Sequence, residues 1–335
     1  MILNEEQKYQ IAKDAVIHWD IEVKDLSLLP IHTENEVFKL EDVNGNFFAL
    51  RIHRFGYHDL EELESEHIWT SYLKKSGLNV PEFINTKREK PYKKIFIKNS
   101  EDFRYVGIVK WIRGETLEDS ILKDRSESNI SNIFERLGEL IAQFHITSID
   151  WDPPKGFKRH SWDEEGLMGH DPTWGRFWEI KYASNKQRSQ LLDIQNRLYK
   201  KLKNLTKGNY YSMTHADMNW GNVLIEGQKL SVIDFDDCCF GWHAADLANS
   251  IWNTDPQFAS IHEISKQALL KGYKSLRNNS DQVIKDLDLF YLVRCLQILK
   301  WVEDREKEIG DIEPIIDSIL RPAINRAIEM EIIKS

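Results

Sequence analysis

The chain has 335 residues, a formal net charge of −9 at neutral pH, 41% hydrophobic and 30% charged residues, 16 Gly and 9 Pro. That is globular composition, which excludes a disordered or fibrous chain, and the length suits two domains or two lobes. The acidic balance offers no overall positive field to nucleic acid or an anionic membrane, no run approaches the roughly 18 apolar residues of a membrane helix, and the polar start Met1–Gln10 is unlike a secretory signal.

Three cysteines, Cys238, Cys239 and Cys295, make neither a disulfide framework nor a Cys-x-x-Cys zinc pair. They read as buried thiols in a reducing, cytoplasmic setting. In chain order, Glu36–Glu41 and Phe47–His53 are strand-like and flank Asp42-Val43-Asn44-Gly45-Asn46, an Asn-Gly hairpin signal. Asp59–Lys75 has helical spacing, with Gly77 suited to its C-cap and Pro81 beyond. Strands are expected at Lys94–Lys98 and Tyr105–Ile112, helices at Ile130–His145 and Gln187–Leu205, and three or four amphipathic helices over Ala244–Ile333. Asp150–Trp178 is irregular and rich in Trp, Pro and Gly. The expectation is an α+β fold: a β-rich N-terminal lobe over residues 1–112 and a larger, mainly helical lobe over residues 113–335.

The chemistry concentrates in Thr214-His215-Ala216-Asp217-Met218-Asn219-Trp220-Gly221-Asn222 and the residues that follow it. Val223–Ile225 and Leu230–Ile233 are short apolar runs around a turn at Gly227. Folded as a hairpin, they carry Asn222 beside the Ile233–Asp234 end, with Asp217 in the loop before. An amide oxygen, a carboxylate and a nearby second carboxylate suit Mg²⁺, which keeps waters and takes few protein ligands alongside phosphates. Phosphoryl transfer needs that set: a metal to neutralise phosphate charge and a carboxylate to accept the proton of the attacking hydroxyl. His215, Asp217 and Asn222 stand at the spacing of the His-x-Asp-x-x-x-x-Asn set of protein kinases, and Asp234-Phe235-Asp236 takes the place of Asp-Phe-Gly.

These residues resemble the aminoglycoside phosphotransferase family of kinase-like enzymes, whose members commonly read His-Gly-Asp-x-x-x-x-Asn, and within it the bacterial branch that includes the stress-response kinase RdoA (SrkA). Ala216 stands where Gly is usual. The resemblance implies a bilobal protein-kinase-like fold and ATP with Mg²⁺ as cofactors. It makes Asp217 the catalytic base, Asn222 and Asp234 the metal ligands, and Asp236 a third metal or substrate contact, with Asp237 left to solvent. His215 becomes a scaffold of the loop. Asp246 either ties that loop to the next helix or is a helix-surface carboxylate. In the N-terminal lobe, Phe48-Ala49-Leu50-Arg51 stands where kinases carry Val-Ala-Ile-Lys, so Arg51 would touch the nucleotide phosphates. Glu66 is its expected partner, with Glu62 and Glu64 as competitors. A phosphate-covering loop should lie at residues 31–36, without glycines. Asn35 there is either a phosphate contact or a turn former. Backbone groups near Lys110–Arg113, including Lys110 and Ile112, would meet adenine.

The acceptor is less defined. Eight of the eleven Trp follow residue 114, and Trp220 lies inside the loop, a candidate substrate contact for a cationic alcohol. The leading reading is an ATP- and Mg²⁺-dependent phosphotransferase acting on a small-molecule hydroxyl. Its alternatives are a Ser/Thr protein kinase of the RdoA type and a catalytically idle kinase-shaped binding protein. Neither nucleic acid nor membrane is an expected partner.

Overall fold

The computed structural model describes residues 3–30, 35–253 and 256–334. They form two compact units. One comprises Met1–Gly114, Asp152–Arg159 and Leu224–Asp236; the other comprises Glu115–Trp151, His160–Val223 and Asp237–Ser335.

The first unit is built on an antiparallel sheet. Its strands are β1 (Val23–Leu28), β2 (Glu36–Asp42), β3 (Phe47–Ile52), β4 (Phe83–Ile84), β5 (Tyr92–Phe96) and β6 (Phe103–Lys110). They run in the order β1-β2-β3-β6-β4, with β5 also on β6. The β2–β3 hairpin pairs Glu41 with Phe47. Its tip is closed by the Asp42 carboxylate, which accepts the Asn44 and Asn46 N–H groups at 2.9 and 2.8 Å. A first helix, α1 (Glu5–Val16), was not expected from the polar start. Asn4 and Gln7 form a capping box at its N-terminus, and it buries only Ile11, Ala12 and Ala15. Small residues on a short apolar face leave a weak periodic signal, yet they let the helix settle onto Phe38, Leu40, Leu50 and Ile52 of the sheet. The helix α2 (Leu60–Lys75) opens on a second capping box, Asp59 with Glu62, and buries Leu63, Glu66, Trp69 and Leu73.

The second unit is mainly helical. A small sheet orders Ser161–Trp162, Cys239–Trp242 and Tyr211–Thr214, with Cys239–Trp242 in the middle. The long helix Glu127–Ile149 packs against His262–Leu276. Two glycines permit that approach. A Cβ on Gly138 would stand 2.0 Å from the Leu269 carbonyl oxygen, and one on Gly272 1.8 Å from that of Glu135. Every residue of His243–Ile251 is buried. Leu287–Asp304 buries most of its surface, and Glu313–Glu329 packs beside it. No helix of the described residues is long and apolar enough to cross a membrane.

Candidate active site

In the second unit, the strand Tyr211–Thr214 delivers the chain into the loop that carries Asp217. Its pairing with Cys239–Trp242, Thr214 opposite Cys239, fixes where that loop begins. Ala216 has φ +66°, in the left-handed region where an L side chain is strained, which accounts for the glycine usual at this position. The loop is held from beneath by the buried helix His243–Ile251. Asp246 accepts the Ala216 N–H at 2.7 Å and the His215 N–H at 3.2 Å. Asn249 donates to the Ala216 carbonyl, and Ser250 donates to that of Met218 at 3.0 Å. Of the two readings of Asp246, the surface carboxylate is therefore not what the fold shows: the residue is fully buried.

Burial pushes the Asp246 carboxyl up to about 6, against the pull of those two N–H donors. His145 Nε2 lies 3.1 Å from Asp246 Oδ2, the oxygen that also accepts the His215 N–H. Burial, with the charge of Arg277, drives His145 well below its ordinary value, so it stands neutral. Its other nitrogen meets the Tyr273 hydroxyl at 2.9 Å. His145, at the end of the helix expected over Ile130–His145, is a fully buried support of the loop.

Asp217 is more open. Its Oδ2 accepts from Asn219 Nδ2 at 2.9 Å and Asn222 Nδ2 at 3.1 Å. Its Oδ1 accepts from Arg294 Nη2 at 2.6 Å. Asn222 also donates to the Asp217 carbonyl at 2.9 Å. Its amide nitrogen is thus turned to Asp217, with the amide oxygen on the opposite side. The His215 ring is buried, and its Nδ1 accepts the Asp217 N–H at 3.3 Å. Trp220 sits in the core. It is 5% exposed, packs edge-on between Phe134 and Phe258, and donates its indole N–H to the Ser250 carbonyl at 2.7 Å. Asp237, expected in solvent, is buried.

In the first unit, Arg51 on β3 reaches three carboxylates. Nη1 is 2.7 Å from Glu66 Oε1, Nη2 is 3.3 Å from Asp234 Oδ1, and Nη2 also binds Asp236 Oδ1. Burial opposes the charge on this guanidinium, but Glu66, Asp236 and Asp234 together raise its pKa well above the ordinary value. Of the three acids open to the Glu66 role, Glu66 alone is buried, with the Tyr92 hydroxyl donating to it at 3.2 Å. Glu62 serves the helix cap, and Glu64 lies 4.0 Å from Lys90. Asp236 is buried; burial works against its charge, but Arg51, then His53 and His58, hold its carboxyl well below the usual range. Asn35 donates to its other oxygen. Arg159 and His58 both donate to its backbone carbonyl, His58 at 2.7 Å. Asp234 is the more open carboxylate, 31% exposed, on a residue with φ +63°. Phe235 between them is buried against Trp69. Residues 31–34 of the expected phosphate loop lie outside the described residues. Lys110 pairs with Glu82 at the end of β6, and Ile112 is half-buried.

Residues 25–278 match the phosphotransferase enzyme family known as APH. The chain belongs to that family. Among solved structures, a microcompartment-associated aminopropanol kinase superposes with a TM-score of 0.81 at 26% identity, over 96% of this chain and 98% of that one. The amicoumacin kinase hAmiN, bound to AMP-PNP, Ca²⁺ and Ami, superposes with a TM-score of 0.77 at 19% identity, over 97% and 94%. The choline kinase LicA from Streptococcus pneumoniae shares the fold at a TM-score of 0.64 and 15% identity, over 97% and 100%. In sequence, the amicoumacin kinase of Bacillus subtilis (strain 168) is 24% identical over 132 residues, which is 39% of this chain and 36% of that kinase's length. The α+β fold of this phosphotransferase is thus the kinase-like one.

His145 and Arg294 of this phosphotransferase, like the loop clamps Asn249 and Ser250, were not among the residues expected from the sequence. Arg294 carried a signal: it is the lone charge in Leu292-Val293-Arg294-Cys295-Leu296, an otherwise apolar stretch of a helix. A charge placed there needs a partner, and the partner is Asp217. His145 stood on the apolar face of its helix, where a histidine gives no such warning.

Proposed function

We propose that this phosphotransferase is an ATP- and Mg²⁺-dependent kinase that transfers the γ-phosphoryl group to the hydroxyl of a small molecule. The observation that carries the reading is the Asp217 carboxylate. It is fixed by Asn219, Asn222 and Arg294, on a loop whose backbone is clamped by Asp246, Asn249 and Ser250. A carboxylate so held, and still 20% exposed, is placed to orient an alcohol and take its proton.

Arg51 would bind nucleotide phosphate, kept in place by Glu66. The donors fit Mg²⁺ in kind. Asp234 offers an accessible carboxylate and Asn222 an amide oxygen, both hard ligands. When bound, the ion would neutralise charge on the phosphates. Asp236 is occupied by Arg51 and Asn35, so its part is to set Arg51 rather than to meet the metal directly. The structural relatives named for aminopropanol and choline support a small alcohol, and an amino alcohol is the first acceptor to try.

The test is phosphate transfer from ATP with Mg²⁺ into a metabolite extract, read by mass spectrometry. A new phosphorylated small molecule is expected. Label appearing only on protein would instead favour the RdoA-type protein kinase, and no transfer at all would leave the idle binding protein.

A further inference from the structure

Arg294 lies on Leu287–Asp304, far along the chain from the loop it touches. It is 5% exposed. One of its nitrogens, Nη2, binds Asp217 Oδ1 at 2.6 Å. The other two, Nε and Nη1, are buried and have no hydrogen-bond partner among the described residues. The guanidinium instead lies over two indoles, its carbon 5.1 Å from the Trp174 ring and 5.6 Å from the Trp252 ring. Trp174 belongs to the irregular Trp-rich segment and is itself held edge-on by Trp162 at 5.1 Å.

Burying a guanidinium with one carboxylate and two unused donors is costly for stability alone. Two aromatic faces offset part of that cost through the ring quadrupole and leave the charge directed at Asp217. A planar, singly oriented cation at 2.6 Å fixes the carboxylate's rotation more firmly than the two neutral amides do. We propose that Arg294, stacked on Trp174 and Trp252, is the positioning residue of Asp217, holding the carboxylate at the angle from which it meets the acceptor hydroxyl. The proposal rests on the reading of Asp217 as the base.

The experiment compares wild type, Arg294→Ala and Arg294→Lys. It follows ADP formation from ATP and Mg²⁺ in a metabolite extract, Mg²⁺–ATP affinity by calorimetry, and melting temperature. Arg294→Ala should lower kcat about 100-fold, the scale of a slight misplacement at the reacting group, with ATP affinity and melting temperature near wild type. Millimolar guanidinium should enter the vacated slot between the indoles and restore part of the rate, while sodium chloride at equal ionic strength should not. Arg294→Lys, charged but not planar, should fall between. If Arg294→Ala does not fold, Arg294→Gln carries the same comparison and the same expected loss. Wild-type kcat in the variant would overturn the proposal. So would a joint loss of rate, ATP affinity and melting temperature that guanidinium leaves unchanged. A wild type that forms no ADP would instead sink the kinase reading. Turnover lost in Asp217→Asn but kept in Arg294→Ala would sink only the role given to Arg294.

Discussion

Arg51 Nη1 lies 2.7 Å from Glu66 Oε1, and both side chains are almost wholly buried, 8% and 1% exposed. The pair joins strand β3 to helix α2, and Asp234 and Asp236 complete it on the other guanidinium nitrogen. Removing Arg51 leaves buried carboxylates without a cation. Arg51→Ala should cost about 3–5 kcal/mol in denaturant unfolding. Arg51→Lys should cost less, because one point charge still serves the cluster. Equal stability of Arg51→Ala and wild type would mean that the cluster rearranges around water.

His53 sets a pH dependence on the same unit. Its two ring nitrogens have no hydrogen-bond partner among the described residues, and burial lowers its pKa to about 3, Asp236 offsetting only part. An unfolded histidine titrates near 6.5, so below that pH the unfolded chain takes a proton that the folded protein rejects. The contribution is full above about pH 6.5 and is lost as pH falls toward 3. It amounts to about 2 kcal/mol between neutral pH and about pH 5. His53→Phe should flatten this loss when unfolding is measured at both pH values. An unchanged slope would place the acid sensitivity elsewhere.

The strain at Ala216 can be measured as well. A left-handed alanine costs about 1–2 kcal/mol relative to an unstrained residue, and the buried methyl returns about 0.8 kcal/mol. Ala216→Gly should therefore shift stability by no more than about 1 kcal/mol. Ala216→Val should lower the melting temperature clearly, since a branched side chain at this φ is an outlier. A stable valine variant would show that the loop can leave the left-handed conformation.

Gly138 and Gly272 give a sharper contrast. An added Cβ would meet backbone carbonyls rather than yielding side-chain ends. Gly138→Ala should therefore cost about 3 kcal/mol or more, at the upper end for overpacking. A small effect would require the two helices to separate without penalty.

The Asp42–Asn46 turn, the α2 helix and the spacing of the Asp217 loop were legible because each is a local pattern. They rest on an Asn-Gly pair, a capped helical periodicity, and a histidine, an aspartate and an asparagine at fixed intervals. The α1 helix was not legible, because its buried face is short and made partly of alanine. Glu62, Glu64 and Glu66 could not be told apart by spacing. Burial distinguishes them, and burial depends on β3 and β5, which come from elsewhere in the chain. Arg294 and His145 meet the Asp217 loop through contacts 77 residues apart in one case, and through Asp246 at a separation of 101 in the other. No window of sequence contains either relationship. Trp220 shows the reverse error: its place inside the loop suggested substrate, while its indole packs between two phenylalanines.

The proposed role of Asp217 is to orient and deprotonate the acceptor hydroxyl. Its most direct test is Asp217→Asn, a change of charge with little change of shape. Transfer from ATP with Mg²⁺ into the metabolite extract is measured beside ATP affinity. The phosphorylated product should disappear while Mg²⁺-dependent ATP binding stays close to wild type. Product formed by Asp217→Asn at the wild-type rate would contradict it.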